Sequence, residues 1–389
     1  MGLSIAYANY GEQSGVTTQV ARTLELRGHR VTPVEVFGTL DLRDRRTRWP
    51  RPTPAVLAHL AISAARFGGR ALAHRFNTPF AFDLHSREAG AALDALASAP
   101  EVVLQNGALF APGLPPRLPY ALLLDHTRAL AMRARPFPEA GLLPPVDYGP
   151  GWREREARTY RGARALATFS ENAARSLVDD YGVDPERVHV VGAGANVFPA
   201  TAPRDDDGRT IAFVGREFAR KGGRVLLEAF ARVRHRLPGA RLLIAGPPSL
   251  PDPLPAGATL LGPVPYEGLP ALFARTTVFA LPTLQEPFGL AFLDAMACGL
   301  PCVGTALEAV PEILGHGACG LLVPPGDPAA LADALSALLA EPARARTLGS
   351  RGRQRVASRF LWPLVAERLE RVLEAAVGGR EGSASARPG

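Results

Sequence analysis

The chain has 389 residues, 47% of them hydrophobic, which suits two globular domains, and no apolar run approaches the ~20 residues of a membrane span. Its net charge of +7 comes mainly from arginines scattered through runs such as 43–52 and 152–164, with no aromatic-interleaved motif, so nucleic acid is not expected as a partner. Cys298, Cys302 and Cys319 lack metal-ligand spacing and read as buried free thiols in a reducing, cytoplasmic setting; the basic excess reads first as a generally Arg-rich composition, with peripheral contact at an anionic membrane face as the alternative.

The first residues, MGLSIAYANYGEQ, carry no basic n-region and read as a strand and loop rather than a secretory signal. A strand over Leu3–Ala8, a glycine-bearing loop, a helix over Val16–Arg27 and a strand over Val31–Phe37 form a βαβ opening. The loop Gly11-Glu12-Gln13-Ser14-Gly15 is not GxGxxG. Its glycines let main-chain amides approach a phosphate, although an ordinary βα turn would look the same. Residues 38–56 read as a surface loop and 57–76 as a helix.

The run Pro79–Leu84 reads as a strand with His85 and Ser86 at its end, before a helix over Glu88–Ser98. Val102–Leu104 is a further strand, leading into Gln105-Asn106-Gly107. Strand ends on one edge of such a sheet gather at a cleft, so His85 and Asn106 become candidates for substrate contact. Tyr120–Leu124 is a buried strand followed by Asp125-His126-Thr127-Arg128. Residues 131–151, rich in Pro and Gly, read as a loop or lid. A charged helix from Trp152, a strand over Arg164–Ser170, a capped helix over Ala173–Tyr181 and a strand over Val188–Val191 complete the first half.

Residues 199–209 form a linker containing Asp205 and Asp207. Without a preceding strand end this Asp-x-Asp is a solvated charge run, and no metal is expected. A second βα series starts with Thr210–Val214. The turn Gly215-Arg216-Glu217-Phe218-Ala219-Arg220-Lys221-Gly222-Gly223 precedes a helix over Val225–Arg236. Two cations ahead of a helix N-terminus suit a phosphate. Strands over Ala240–Ala245 and Thr259–Leu261 end at Gly246 and at Gly262-Pro263-Val264. After a strand over Thr277–Leu281 comes EPFGLAFLDAMACGLPCVGT, from Glu286 to Thr305. A helix fits Leu290–Ala297, with Pro287 near its start and Gly299 past its end. Glu286 and Asp294 are thereby about two turns apart and can face one cleft, beside the unpaired amides of Phe288, Gly289 and Leu290. Alone, the two acids would read as a helix cap and a solvated face. Helices over Pro328–Ala340, Ala343–Ala357 and Leu364–Ala376 follow, then a polar tail from Gly378 that reads as disordered.

The EPFGL and ACGLP runs around the paired acids, and GREFARKGG before them, resemble the GT-B glycosyltransferases of family 4, the retaining nucleotide-sugar enzymes (glycosyl transferases group 1). In that pattern the second acid is Glu, whereas this chain has Asp294. The resemblance is strong over 188–376 and patchier over 1–187. It implies two doubly wound Rossmann-like α/β domains facing across a cleft: an acceptor-side domain over 1–198, the linker, a nucleotide-sugar domain over 210–360, and a helix over 361–377 crossing back.

The resemblance also implies roles. Arg216 and Lys221 clamp the donor diphosphate, while Glu286 and the amides of Phe288–Leu290 hold the sugar hydroxyls. Asp294 takes the ribose, the strand ends at Gly215, Gly246 and Val264 surround the nucleotide, Gly15 approaches the donor phosphate, and Gly11, His85 and Asn106 fall on the acceptor side. His126 matches the family's first-domain histidine, although there His precedes Asp. The implied activity is retaining hexosyl transfer from a UDP- or GDP-sugar to a glycan, lipid-linked or small-molecule acceptor, with no cofactor or metal. A non-catalytic nucleotide-sugar or glycan-binding homologue stays open as the alternative. A nicotinamide oxidoreductase does not fit the first loop. Donor base, sugar, acceptor and oligomeric state are not legible in side chains.

Overall fold

The structure, a computed structural model, describes residues 2–36, 49, 53–199, 206–250 and 253–378. Two parallel sheets carry it. The first contains β1 (Ser4–Asn9), β2 (Arg30–Glu35), β3 (Val102–Asn106), β4 (Tyr120–Leu124), β5 (Ala165–Thr168) and β6 (Val188–Val190), in the order β2-β1-β3-β4-β5-β6. The second contains β7 (Thr210–Val214), β8 (Arg241–Ala245), β9 (Ala258–Gly262), β10 (Val278–Leu281), β11 (Cys302–Thr305) and β12 (Leu321–Val323), in the order β12-β11-β10-β7-β8-β9. β3, β4 and β10 are buried along their whole length, as apolar runs in a parallel sheet covered on both faces should be.

In each sheet the strand order reverses beside the domain's first strand, between β1 and β3 and between β7 and β10. Ligands of open α/β sheets bind outside the carboxyl ends of strands at such reversals. The topology therefore selects four loops before any chemistry is considered: those after β1, β3, β7 and β10.

One expected strand is absent. Pro79–Asp94 is a single helix. Thr78 caps it, accepting from the Ala81 amide at 3.1 Å, and Pro79 sits in its first turn, where a missing N–H costs nothing. The helix buries Ala81, Phe82, His85, Ser86, Ala89 and Leu93, a three-to-four-residue period that the short PFAFDL run conceals. The expected 57–76 helix also differs: it runs from Pro54 to Phe67 and breaks at Gly68, whose φ is 53°. The expected surface loop at 38–56 and the tail expected from Gly378 lie almost wholly outside the described residues, Gly378 itself ending the last helix.

The last helix, Trp362–Gly378, returns to the first domain and packs against the helix Val16–Leu26 and against β3, β4 and β5. Arg27 and His29 both meet Glu370 on it. The expected lid at 131–151 is docked: Phe137 is buried near Gly326 of the second domain, and Gly141 lies against Ala219 and Arg224. Asp207 of the linker accepts from the Arg209 amide and Thr210 and pairs with Arg241. The three cysteines are buried free thiols. Among the described residues, no helix is long and apolar enough to cross a membrane.

Candidate functional site: the cleft between the two sheets

The turn after β7 is fastened to the loop after β10 by main-chain contacts. Leu284 N donates to Arg220 O at 2.9 Å, and Arg220 donates to Gln285 O at 2.9 Å. Gly222 makes this approach sterically feasible: its φ is 73°, and a Cβ there would lie 1.8 Å from Pro282 O. The helix Gly223–Arg236 starts at this glycine. Lys221 is thus placed to form an ion pair with the Glu286 carboxylate. Glu286 is 3% exposed, so the pair is nearly dry and each partner needs the other.

Arg220 is a third cation at this wall. Burial works against its charge, but Glu286, then Glu217 and Glu308, hold its pKa above the ordinary value. Arg216 is exposed and has no ion-pair partner among the described residues. A guanidinium in that state is available to an incoming anion. Gly215 and Gly246 lie back to back, with a Cβ on Gly246 falling 2.5 Å from Gly215 O. Val264 is half-buried beyond β9.

The helix Leu290–Ala297 begins after Gly289, whose φ is 115°. The Phe288 ring does not face solvent. It packs edge-on against Phe169 of the first domain at 5.4 Å and Phe360 at 6.4 Å, tying this helix start to both neighbours. Leu290 remains partly exposed. Asp294 is buried, and its Oδ1 accepts from the amides of Asn196 at 2.7 Å and Val197 at 3.0 Å. Burial pushes its pKa up to about 7, against the pull of those two amides. One of its oxygens therefore binds the segment that closes the first domain.

The first-domain wall is built from the ends of β1, β3 and β4. Asn9 Oδ1 accepts from the Gly11 amide at 3.0 Å, and Gly11 has φ 101°. Gly15, with φ 83°, starts the helix Val16–Leu26, and a Cβ there would crowd the Asn196 side chain at 3.1 Å. Asn196 is a junction: its Nδ2 donates to Ser14 O at 2.9 Å and its Oδ1 accepts from Trp362 Nε1 at 2.9 Å. Tyr266 reaches the same loop. Burial and then Asp294 raise its phenol pKa, opposed by a hydrogen bond with Ser14. Asn106 ends β3, and its buried Nδ2 has no hydrogen-bond partner among the described residues. Asp125 keeps solvent access, yet desolvation by the surrounding walls raises its carboxyl pKa, against the pull of His126.

His126 and the second domain meet. His126 Nε2 lies 3.2 Å from Glu308 Oε1, and the other oxygen of Glu308 accepts from the Glu286 amide. A continuous polar line, His126, Glu308, Glu286, Lys221, thus crosses from one domain to the other. Glu312 makes a second crossing, accepting from the amides of Glu171 and Asn172 at 2.8 Å each.

His85 is not at this cleft wall by the route expected of it. It lies inside the helix Pro79–Asp94, fully buried, its ring 5.7 Å from Phe76. Burial, then neighbouring His59, lowers its pKa to about 3. The residues that sequence reasoning underweighted are Glu308, Asp125, Arg220, Tyr266 and Asn196. Asp125 and Arg220 were visible as neighbours of chosen residues. The contacts that give Glu308 and Asn196 their roles span 182 residues of sequence, so their neighbours in the chain do not reveal the partners.

Two doubly wound domains with their strand ends facing across a cationic cleft define the GT-B class of fold. The comparison with solved structures agrees over nearly the whole chain. Sucrose-phosphate synthase from Thermosynechococcus elongatus superposes with a TM-score of 0.69 over 96% of this chain and 99% of that one, at 19% identity. HepE of Anabaena, in complex with UDP and glucose, gives 0.60 over 96% and 99%, at 16% identity. Residues 208–341, the core of the second domain, match the model of the family of glycosyl transferases group 1.

Among curated relatives, the MMP alpha-(1->4)-mannosyltransferase of Mycolicibacterium hassiacum is 33% identical over 238 residues, 58% of each chain. The D-inositol 3-phosphate glycosyltransferase of Corynebacterium efficiens is 31% identical over 242 residues, 55% of this chain and 57% of that one. The match thus spans less than two thirds of these relatives' own length.

Proposed function

We propose that this protein is a retaining glycosyltransferase that moves a hexosyl group from a UDP- or GDP-sugar to a glycan, lipid-linked or small-molecule acceptor. The observation that carries the reading is the Lys221–Glu286 pair, set at the strand-order reversal of the second sheet and joined through Glu308 to His126 of the first domain. The departing nucleoside diphosphate gains negative charge in the transition state. Fixed cations beside it stabilise that state more than the ground state. Arg216 and Lys221 take the phosphates, and Arg220 adds a third positive charge behind them. As a phosphate draws Lys221, Glu286 turns its acceptor oxygens to the sugar hydroxyls.

Asp294 meets the ribose through the oxygen not held by Asn196 and Val197, and Gly215, Gly246 and Val264 surround the nucleotide. Phe288, Gly289 and Leu290 contribute main-chain amides. On the other wall, Gly11, Asn106 and His126 face the acceptor and the reacting region, and Gly15 sets the first loop close to the donor. Departure and attack on one face of the sugar need no covalent protein nucleophile and no metal. The relatives' names share glycosyl transfer and differ in acceptor, which supports the class of reaction rather than one substrate. A cytoplasmic setting, with peripheral contact at an anionic membrane face, goes with this reading; co-sedimentation with anionic but not neutral vesicles tests it.

The test is thermal unfolding with UDP, GDP and ADP, each with and without EDTA. A ligand at 100 times its Kd adds about 2.7 kcal/mol of stability. One diphosphate should raise the melting temperature, unaffected by EDTA, and the matching hexose donor should turn over. A shift without turnover against any acceptor would favour a binding homologue, and no shift with any of the three would overturn the donor site.

A further inference from the structure

Glu308 stands out at the cleft. It follows β11 with φ 48°, a left-handed conformation that disfavours any residue with a Cβ, and it is not glycine. The strain is held by contacts. One carboxylate oxygen faces His126 Nε2 at 3.2 Å, the other accepts from the Glu286 main chain, and the side chain is 14% exposed. It therefore lies between the residue assigned to the sugar hydroxyls and the histidine of the opposite wall. Each ionised oxygen has lone-pair capacity beyond the one contact it makes.

We propose that Glu308 is a specificity-determining residue of the sugar site, which selects a neutral hexose with free hydroxyls and rejects a hexuronosyl donor. The inference rests on the donor reading above. Glu286 and Glu308 together present only acceptors, which ring hydroxyls satisfy as donors. A sugar carboxylate has no proton to offer there and meets like charge. Lys221 pairs with Glu286 and Arg220 acts on both Glu286 and Glu308, while Asp125 adds a further acid on the first-domain side, so neither cation is left over for a sugar carboxylate. Like charges brought together in a partly dry site are a strong means of rejection. Glu308 acts by contact with the sugar and takes no proton or group in the reaction.

The test compares UDP-glucose with UDP-glucuronate, or the GDP pair if GDP is the base that binds, on wild type, Glu308→Gln and Glu308→Gly. Wild type should favour the neutral donor in kcat/KM by roughly 100-fold, and Glu308→Gln should shrink that ratio by about tenfold. Glu308→Gly suits the backbone conformation, so it should fold at least as stably and lose discrimination as well. Equal use of both donors by wild type, or an unchanged ratio in both variants, overturns the proposal. UDP or GDP alone separates the two readings: a thermal shift equal in all three proteins keeps the donor site standing whatever the ratio shows, and loss of that shift in wild type removes the donor site itself.

Discussion

The two walls of the cleft share a topology but differ in how they are written into the chain. The second-domain wall is contiguous. Arg216, Arg220 and Lys221 occupy one turn, and Glu286 to Leu290 another, and two hydrogen bonds, Leu284 N to Arg220 O and the Arg220 guanidinium to Gln285 O, lock the turns together. The first-domain wall is assembled from single residues at the ends of β1, β3 and β4, with Asn106 and Asp125 contributed by different strands. A diphosphate is a fixed, highly charged group that needs a fixed cationic cradle, and short turns supply one. A variable acceptor needs a wall that can change one residue at a time. The second half of the chain therefore advertises its chemistry, and the first half does not.

Mutation can break or sharpen that contrast. Lys221→Ala should lower donor turnover by about 10²–10³-fold, since it removes a charge from the leaving group and leaves Glu286 buried without its partner. Initial rates, with circular dichroism to confirm folding, check this. Arg216→Ala should be milder. It should weaken nucleoside diphosphate affinity by about tenfold in calorimetric titration, as expected for one charge-assisted contact. Because Arg216 has no ion-pair partner among the described residues, its loss should leave unliganded stability within about 0.5 kcal/mol of wild type. A large loss of unliganded stability would show that Arg216 is structural instead.

Asp294 joins the two walls, and its effect should depend on pH. Its native pKa is about 7, above the ordinary carboxyl value near 4 of an unfolded chain. Between those values the native state keeps a proton that the unfolded state has lost. Stability contributed by this group is therefore full below about pH 4 and declines as pH rises to about 7. Asp294→Asn keeps an oxygen for the Asn196 and Val197 amides but cannot ionise. Its melting temperature relative to wild type should climb across that window and level off above it; a constant difference from pH 4 to 8 would refute the assignment. The smallest effect belongs to His85. His85→Leu should leave kcat/KM unchanged, because the residue sits in a helix interior, and a specific loss of kcat would return it to the site.

Local sequence determined a good deal. The alternation of strands and helices, the helix Leu290–Ala297 between Pro287 and Gly299, and the glycine turn ahead of Gly223–Arg236 follow from spacing, caps and chain breakers within a few residues. Where a local signal was ambiguous it misled: PFAFDL alternates like a strand, yet Thr78 and Pro79 start a helix that takes His85 into the interior. Only the tertiary structure decided which loop residues meet. Glu308 facing His126, Asp294 holding Asn196 and Val197, and Glu312 capping the helix of Glu171 are contacts across roughly 100 to 180 residues, formed when two separately patterned sheets close on each other. Secondary structure is set by neighbours in the chain, whereas a cleft is set by neighbours in space. A residue such as Glu308, held at positive φ by partners in both domains, leaves no trace in its own sequence context.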